Sequence, residues 1–102
     1  MASNLDYVQY VIDQIKTRGT VTYKKMFGEY LIYANNKPVV MVCDNTAFVK
    51  MLDCIKPLME DAETGFPYEG AKEHYIVDVD SSEHLSNVVT VLEKNVPIPK
   101  KK

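Results

Sequence analysis

A chain of 102 residues, 46% hydrophobic and 25% charged, holds enough apolar mass for one core and not for two; a single domain over residues 1–96 is expected and wholesale disorder is excluded. The net charge of −2 argues against electrostatic DNA binding, which relies on Lys and Arg to neutralise phosphates. No apolar run approaches the roughly 18 residues that span a bilayer, and neither a signal-like start nor a cysteine framework is present, so a cytoplasmic protein is expected.

In chain order, Leu5, Val8, Val11, Ile12 and Ile15 recur at helical spacing, predicting an amphipathic helix over residues 4–18. Ser3 or Asn4 caps its start and Gly19 stops it. Residues 20–23 are β-branched and aromatic and read as a short strand. Residues 30–34 and 38–43 flank Asn35-Asn36-Lys37, and Asp44-Asn45 separates residues 42–43 from residues 46–50. Asn and Asp tolerate the positive φ of tight turns, so these segments form a three-stranded antiparallel meander.

A short helix is expected around residues 54–63, with Pro57 in it and Gly65 as its stop. Residues 66–72 carry two breakers and no period, and read as a long loop. Tyr75, Val77 and Val79 alternate with His74, Ile76 and Asp78 as a strand over which His74 takes the polar side. Ser81 or Ser82 then caps a helix with the stripe Leu85, Val88, Val89, Leu92 and Val96, ending near Asn95. Residues 97–102 form a Pro/Lys tail.

This order places N-terminal, middle and C-terminal helices against an antiparallel sheet of three to five strands, a two-layer α+β domain. The run at residues 38–43 is apolar at every position, whereas a sheet covered on one face alternates. A second covered face is therefore expected, buried by a returning helix or by a partner subunit.

The chemistry-bearing residues make no recognised constellation. His74 and His84 sit where solvated histidines sit, no local motif ties them to Cys43, Cys54 or a serine, and both cysteines read as small buried hydrophobes. No spacing suits a metal, no cofactor is expected, and Gly28 alone makes no phosphate loop. Lys24 and Lys25, interleaved with Tyr23, Phe27 and Tyr30, could stack on and pair with nucleic acid, or could simply blunt a sheet edge.

The segments Lys25-Met26-Phe27-Gly28-Glu29-Tyr30 with Tyr33, then Val42-Cys43-Asp44-Asn45, Phe48-Val49-Lys50 and Pro67-Tyr68-Glu69-Gly70-Ala71-Lys72 resemble the TfoX N-terminal domain family, also called TfoX/Sxy, in order and over most of the chain. The resemblance implies a compact α+β domain with a curved antiparallel sheet that often dimerises. It implies a regulator of competence that works with the cyclic-AMP receptor protein, although the additional C-terminal domain of those regulators has no counterpart here. Asn36 stands where the family commonly has a turn glycine.

The function expected is noncatalytic, regulatory or adaptor work through protein partners, with a transcription factor of the cyclic-AMP receptor type and a homodimer as partners and DNA reached only indirectly or weakly. The alternative is a small-ligand or peptide binding module with weak nucleic-acid contact through Lys24 and Lys25. Its candidate rim is Lys24, Lys25, Met26, Phe27, Gly28, Glu29 and Tyr30 on one side of a cleft, with Tyr68, Gly70 and Lys72 on the other.

Overall fold

Asn35 and Asn36 (φ 52° and 68°) and Asp44 and Asn45 (φ 51° and 53°) hold the left-handed conformations that two-residue hairpin turns require. In the computed structural model, which describes residues 5–16, 19–26 and 29–96, these turns join β2 (Glu29–Ala34), β3 (Lys37–Cys43) and β4 (Thr46–Lys50). With β1 (Val21–Met26), β5 (Thr64–Gly65) and β6 (His74–Ile76) they make a six-stranded antiparallel sheet in the order β1-β2-β3-β4-β6-β5. Helices α1 (Leu5–Gln14) and α2 (Ser82–Asn95) and a 3₁₀ helix, Asp53–Met59, pack on it, so the architecture is two-layer α+β with a curved antiparallel sheet.

The register decides which face the helices cover. Tyr30 lies opposite Val42 and Val42 opposite Ala47, while Ile32 lies opposite Val40. These side chains join Val8 and Val11 of α1, Ile55 and Met59 of the 3₁₀ helix, and Leu85, Val88, Val89 and Leu92 of α2 in one buried cluster. Between the pairs Ile32–Val40 and Tyr33–Pro38 the register shifts, leaving Val39 as an extra residue. That bulge lets successive valines, Val39 and Val40, both enter the core, which accounts for part of the unbroken apolar run.

The rest of that run faces the other way. Leu31, Met41, Phe48 and Ile76 stand opposite one another across β2, β3, β4 and β6, forming an apolar row on the second face. Phe48 and Cys43 are buried outside the helix-side cluster. Among the described residues α1, α2 and the 3₁₀ helix all contribute to the cluster on the first face, while Leu31, Met41 and Ile76 on the second face stay half-buried.

Other boundaries differ for physical reasons. Helix α1 ends at Gln14 because its C-terminal groups are taken by α2: the Ser82 and Ser86 hydroxyls donate to the Gln14 carbonyl at 2.7 and 3.2 Å, and Lys16 N–H donates to the Ser86 hydroxyl at 2.7 Å. Gly19, at φ 99°, belongs to the connection beyond and not to the helix stop. The capping residues expected at its start, Ser3 and Asn4, and the tail at 97–102 lie outside the described residues.

The middle helix is a 3₁₀ helix that starts at Asp53, since Pro57 within it has no N–H to close an α-helical bond. Gly65 does not stop it; Gly65 pairs with His74 in β5, where an added Cβ would lie 3.3 Å from Ile76 and 3.4 Å from Phe48. Strand β6 is shorter than its apolar alternation, because after the bond from Val77 N–H to the Ala47 carbonyl the Asp78 side chain accepts from Asp80 N–H and turns the chain. Ser81 is the N-cap of α2, accepting from His84 N–H at 3.4 Å. At the other end Lys37 donates to the Glu93 carbonyl at 2.8 Å, where a cation suits the helix dipole.

Candidate functional site

Strand β1 begins with residues that favour strand geometry, Val21, Thr22 and Tyr23, and continues into Lys24 and Lys25. It pairs with β2 on one side and forms the edge of the sheet on the other. The direction of its backbone groups follows from the ladder. Asn35 N–H donates to the Thr20 carbonyl at 2.8 Å, one step beyond the pair Val21–Ala34. Antiparallel ladders alternate hydrogen-bonded and non-bonded pairs, so Thr22–Tyr33, Lys24–Leu31 and Met26–Glu29 are the bonded pairs. The N–H and C=O groups of Val21, Tyr23 and Lys25 therefore point out of the sheet, along its open edge.

The side chains on this edge divide between the two faces. Lys24 shares the second face with Leu31, whereas Lys25 lies across from Tyr30 on the helix side. Both lysines are exposed. An ion pair joins Lys37 and Glu93 at 3.6 Å, and neither Lys24 nor Lys25 has such a partner among the described residues. Tyr23 is 40% exposed and meets the Tyr30 ring edge-on, with centroids 5.8 Å apart. Tyr30 itself is buried at the border of the core, so its ring supports the edge from beneath and is not part of an open rim, contrary to expectation.

The remaining candidate residues have separate roles. Met26 closes β1 opposite Glu29, and Phe27 and Gly28 lie outside the described residues. The Glu29 carboxylate accepts from Asp44 N–H at 3.0 Å, tying the start of β2 to the turn after β3. Burial, followed by the charge of Glu29, a hydrogen bond to it and the charge of Asp44, pushes the Cys43 thiol up to about 12. That shift disfavours the thiolate, the reactive form of the group. In the long loop Tyr68 is 58% exposed, Gly70 takes φ 87° with open space around it, and Lys72 is exposed.

The fold does not bring these two groups of residues together. The hairpin of β1 and β2 is separated in sheet order from β5 and β6, which flank the long loop, by β3 and β4. None of the clefts described next is lined by residues of both groups.

Two features escaped the sequence reading. His74 is buried, not solvated: it pairs with Lys50 and Gly65, its Nδ1 lies 2.7 Å from the Lys72 carbonyl, and its ring meets Phe48 edge-on at 6.4 Å. Ile76 on the same side of the strand was the signal that this side is partly covered. An apolar cleft of about 360 Å³ follows, lined by Leu31, Met41, Phe48 and Leu52, by Leu92 of α2 and by Val96 just after it, with Lys50, His74 and Asn95 as polar groups. A second, open cleft of about 660 Å³ gathers Glu60, Asp61, Glu63, Asp78 and Asp80 with His84, the spatial form of the acidic second half. Among the described residues no three His, Cys, Asp or Glu side chains are grouped to hold a metal ion, and no helix is long and apolar enough to cross a membrane.

No family model matches the chain. It is similar to the "Uncharacterized 12.7 kDa protein in trpE 5'region" of Spirochaeta aurantia, 34% identical over 102 residues that span 98% of this chain and 89% of the relative. Identity at that level over nearly the whole of both chains places them together: the chain belongs to the family of that Spirochaeta aurantia protein.

Proposed function

We propose that this protein is a noncatalytic regulatory or adaptor protein of the TfoX N-terminal type, which acts in the cytoplasm through protein partners. The observation that carries this is the open, basic edge of β1, a surface of backbone donors and acceptors suited to another polypeptide. The protonated Cys43 thiol and the buried His74, held by its own loop, are in keeping with a role that needs no nucleophile. The partner that the resemblance implies is a transcription factor of the cyclic-AMP receptor type, with DNA reached through it. Size-exclusion chromatography of the purified protein with purified cyclic-AMP receptor protein tests this. A co-eluting complex is expected, together with no gel shift of DNA by the protein alone at physiological salt; separate elution of the two proteins overturns that partner.

A homodimer is proposed on the apolar row of the second face, Leu31, Met41, Phe48 and Ile76. Light scattering at micromolar concentration should give twice the chain mass, and Met41→Lys should return it to one. A wild-type monomer at that concentration removes the dimer.

One observation favours a second reading, a small-ligand module. The apolar cleft of about 360 Å³ with Lys50 and His74 in its lining suits an apolar body with one anionic group. Thermal shift against aromatic and medium-chain carboxylates, with Lys50→Ala as the control, separates it from the first.

A further inference from the structure

We propose that the outer edge of β1 takes an extended, acidic segment of a partner protein as a seventh strand. This deepens the reading that the protein acts through protein partners, and it names the chemistry of what the edge recognises. The first ground is the ladder: Val21, Tyr23 and Lys25 each turn a backbone donor and acceptor outward, which gives an incoming strand a run of main-chain bonds at fixed alternate positions. The opposite edge, β5, has two residues and offers no comparable run.

The second ground is charge. Strand β1 reads Val-Thr-Tyr-Lys-Lys-Met, with no carboxylate, and its two exposed lysines leave by opposite faces of the sheet without ion-pair partners among the described residues. A partner strand with adjacent acidic residues places one carboxylate on each face, beside Lys24 and Lys25. A second copy of β1 is the poorer occupant, because the resulting ribbon would carry four ammonium groups and nothing to neutralise them. The half-exposed Tyr23 ring, braced by Tyr30, supplies an apolar platform for the residue across from it.

The probe is a fluorescein-labelled eight-residue peptide of Thr and Val with two adjacent glutamates at its centre, and a counterpart with lysines in their place, followed by fluorescence anisotropy. The acidic peptide should bind, more weakly as salt rises. Reversing both charges with Lys24→Glu and Lys25→Glu should lower its affinity about 2- to 30-fold, the range for two exposed ion pairs, and make the lysine peptide the better ligand. Amide exchange by NMR should show new protection at Val21, Tyr23 and Lys25 and none at Thr22 or Lys24, whose amides already bond to β2. Tyr23→Pro removes one outward donor together with the ring that meets Tyr30, while sparing the β1–β2 bonds, and should abolish binding at a lowered unfolding midpoint; should it misfold, charge reversal and amide protection still decide the matter. Absence of binding, protection elsewhere, or a preference indifferent to charge reversal overturns the proposal. Peptide binding at β1 without a complex with the receptor protein removes only that named partner, and the converse removes only the edge.

Discussion

Ser86 on α2 holds Gln14 on α1: its hydroxyl donates to the Gln14 carbonyl at 3.2 Å while accepting Lys16 N–H at 2.7 Å. One buried hydroxyl thus ends one helix and docks it on another. Ser86→Ala removes both bonds at this partly exposed end and should cost about 0.5–1.5 kcal/mol, the net range for an intramolecular hydrogen bond. Ser82→Ala should cost less, because the Gln14 carbonyl keeps the Ser86 bond. Urea unfolding midpoints of the two variants give the order.

The first hairpin turn contains two asparagines with different duties. Asn36, at φ 68°, should be replaceable by Gly at little cost or with a small gain, whereas Asn36→Val should lose about 1–2 kcal/mol in the left-handed region. Asn35 also accepts Thr20 N–H at 3.0 Å, so Asn35→Gly should destabilise even though it relieves the backbone. Thermal melts of the three variants test this, and equal effects of Gly at 35 and 36 would contradict it.

The Cys43 thiol is pushed up to about 12 from an ordinary value of 9.0. The folded protein therefore keeps this proton after the unfolded chain has lost it. Stability linked to the group is complete below pH 9 and declines as pH rises from there toward 12. Cys43→Ala should flatten the alkaline limb of the stability profile. At pH 8 iodoacetamide should modify the half-buried Cys54 before the fully buried Cys43, as read by peptide mass analysis.

The 3₁₀ helix is held by two side chains, Ile55 and Met59, the buried residues among its seven. Ile55→Ala should cost about 2–5 kcal/mol, and Ile55→Val about 0.5–1.5 kcal/mol. Proteolysis under native conditions should then cut first within residues 53–63 of the Ala variant. Cutting elsewhere would show that the segment is anchored by more than these contacts.

What was legible in the sequence was local. Asn35-Asn36 and Asp44-Asn45 announce their turns because few residues tolerate positive φ, and the stripe from Leu85 to Leu92 announces α2 because its period is written in consecutive residues. The end of α1 was not legible, since the hydroxyls that stop it lie about 70 residues away on another helix. Gly65 read as a helix stop because its real constraint, the close approach of Phe48 and Ile76, is tertiary. Alternation likewise gives the phase of a strand but not which side is inward, which is why Tyr30 was taken for a rim residue and His74 for a solvated one. The lysines of β1 were legible as exposed residues of a strand, because two adjacent charges on a strand cannot both be buried, and β1 is indeed an edge strand.

The bonds between α1 and α2 also order events during synthesis. Helix α1 is made before α2, and the hydroxyls that donate to its Gln14 carbonyl come 68 and 72 residues later. At about 5–20 residues per second on the ribosome, the apolar stripe of Val8, Val11 and Ile15 waits roughly 4–14 s for them. The four-strand meander, built from neighbours in sequence, has no such delay. The end of α1 thus gains its anchor only once α2 has been made, and a pause in translation before residue 82 leaves the Gln14 carbonyl without those hydroxyls.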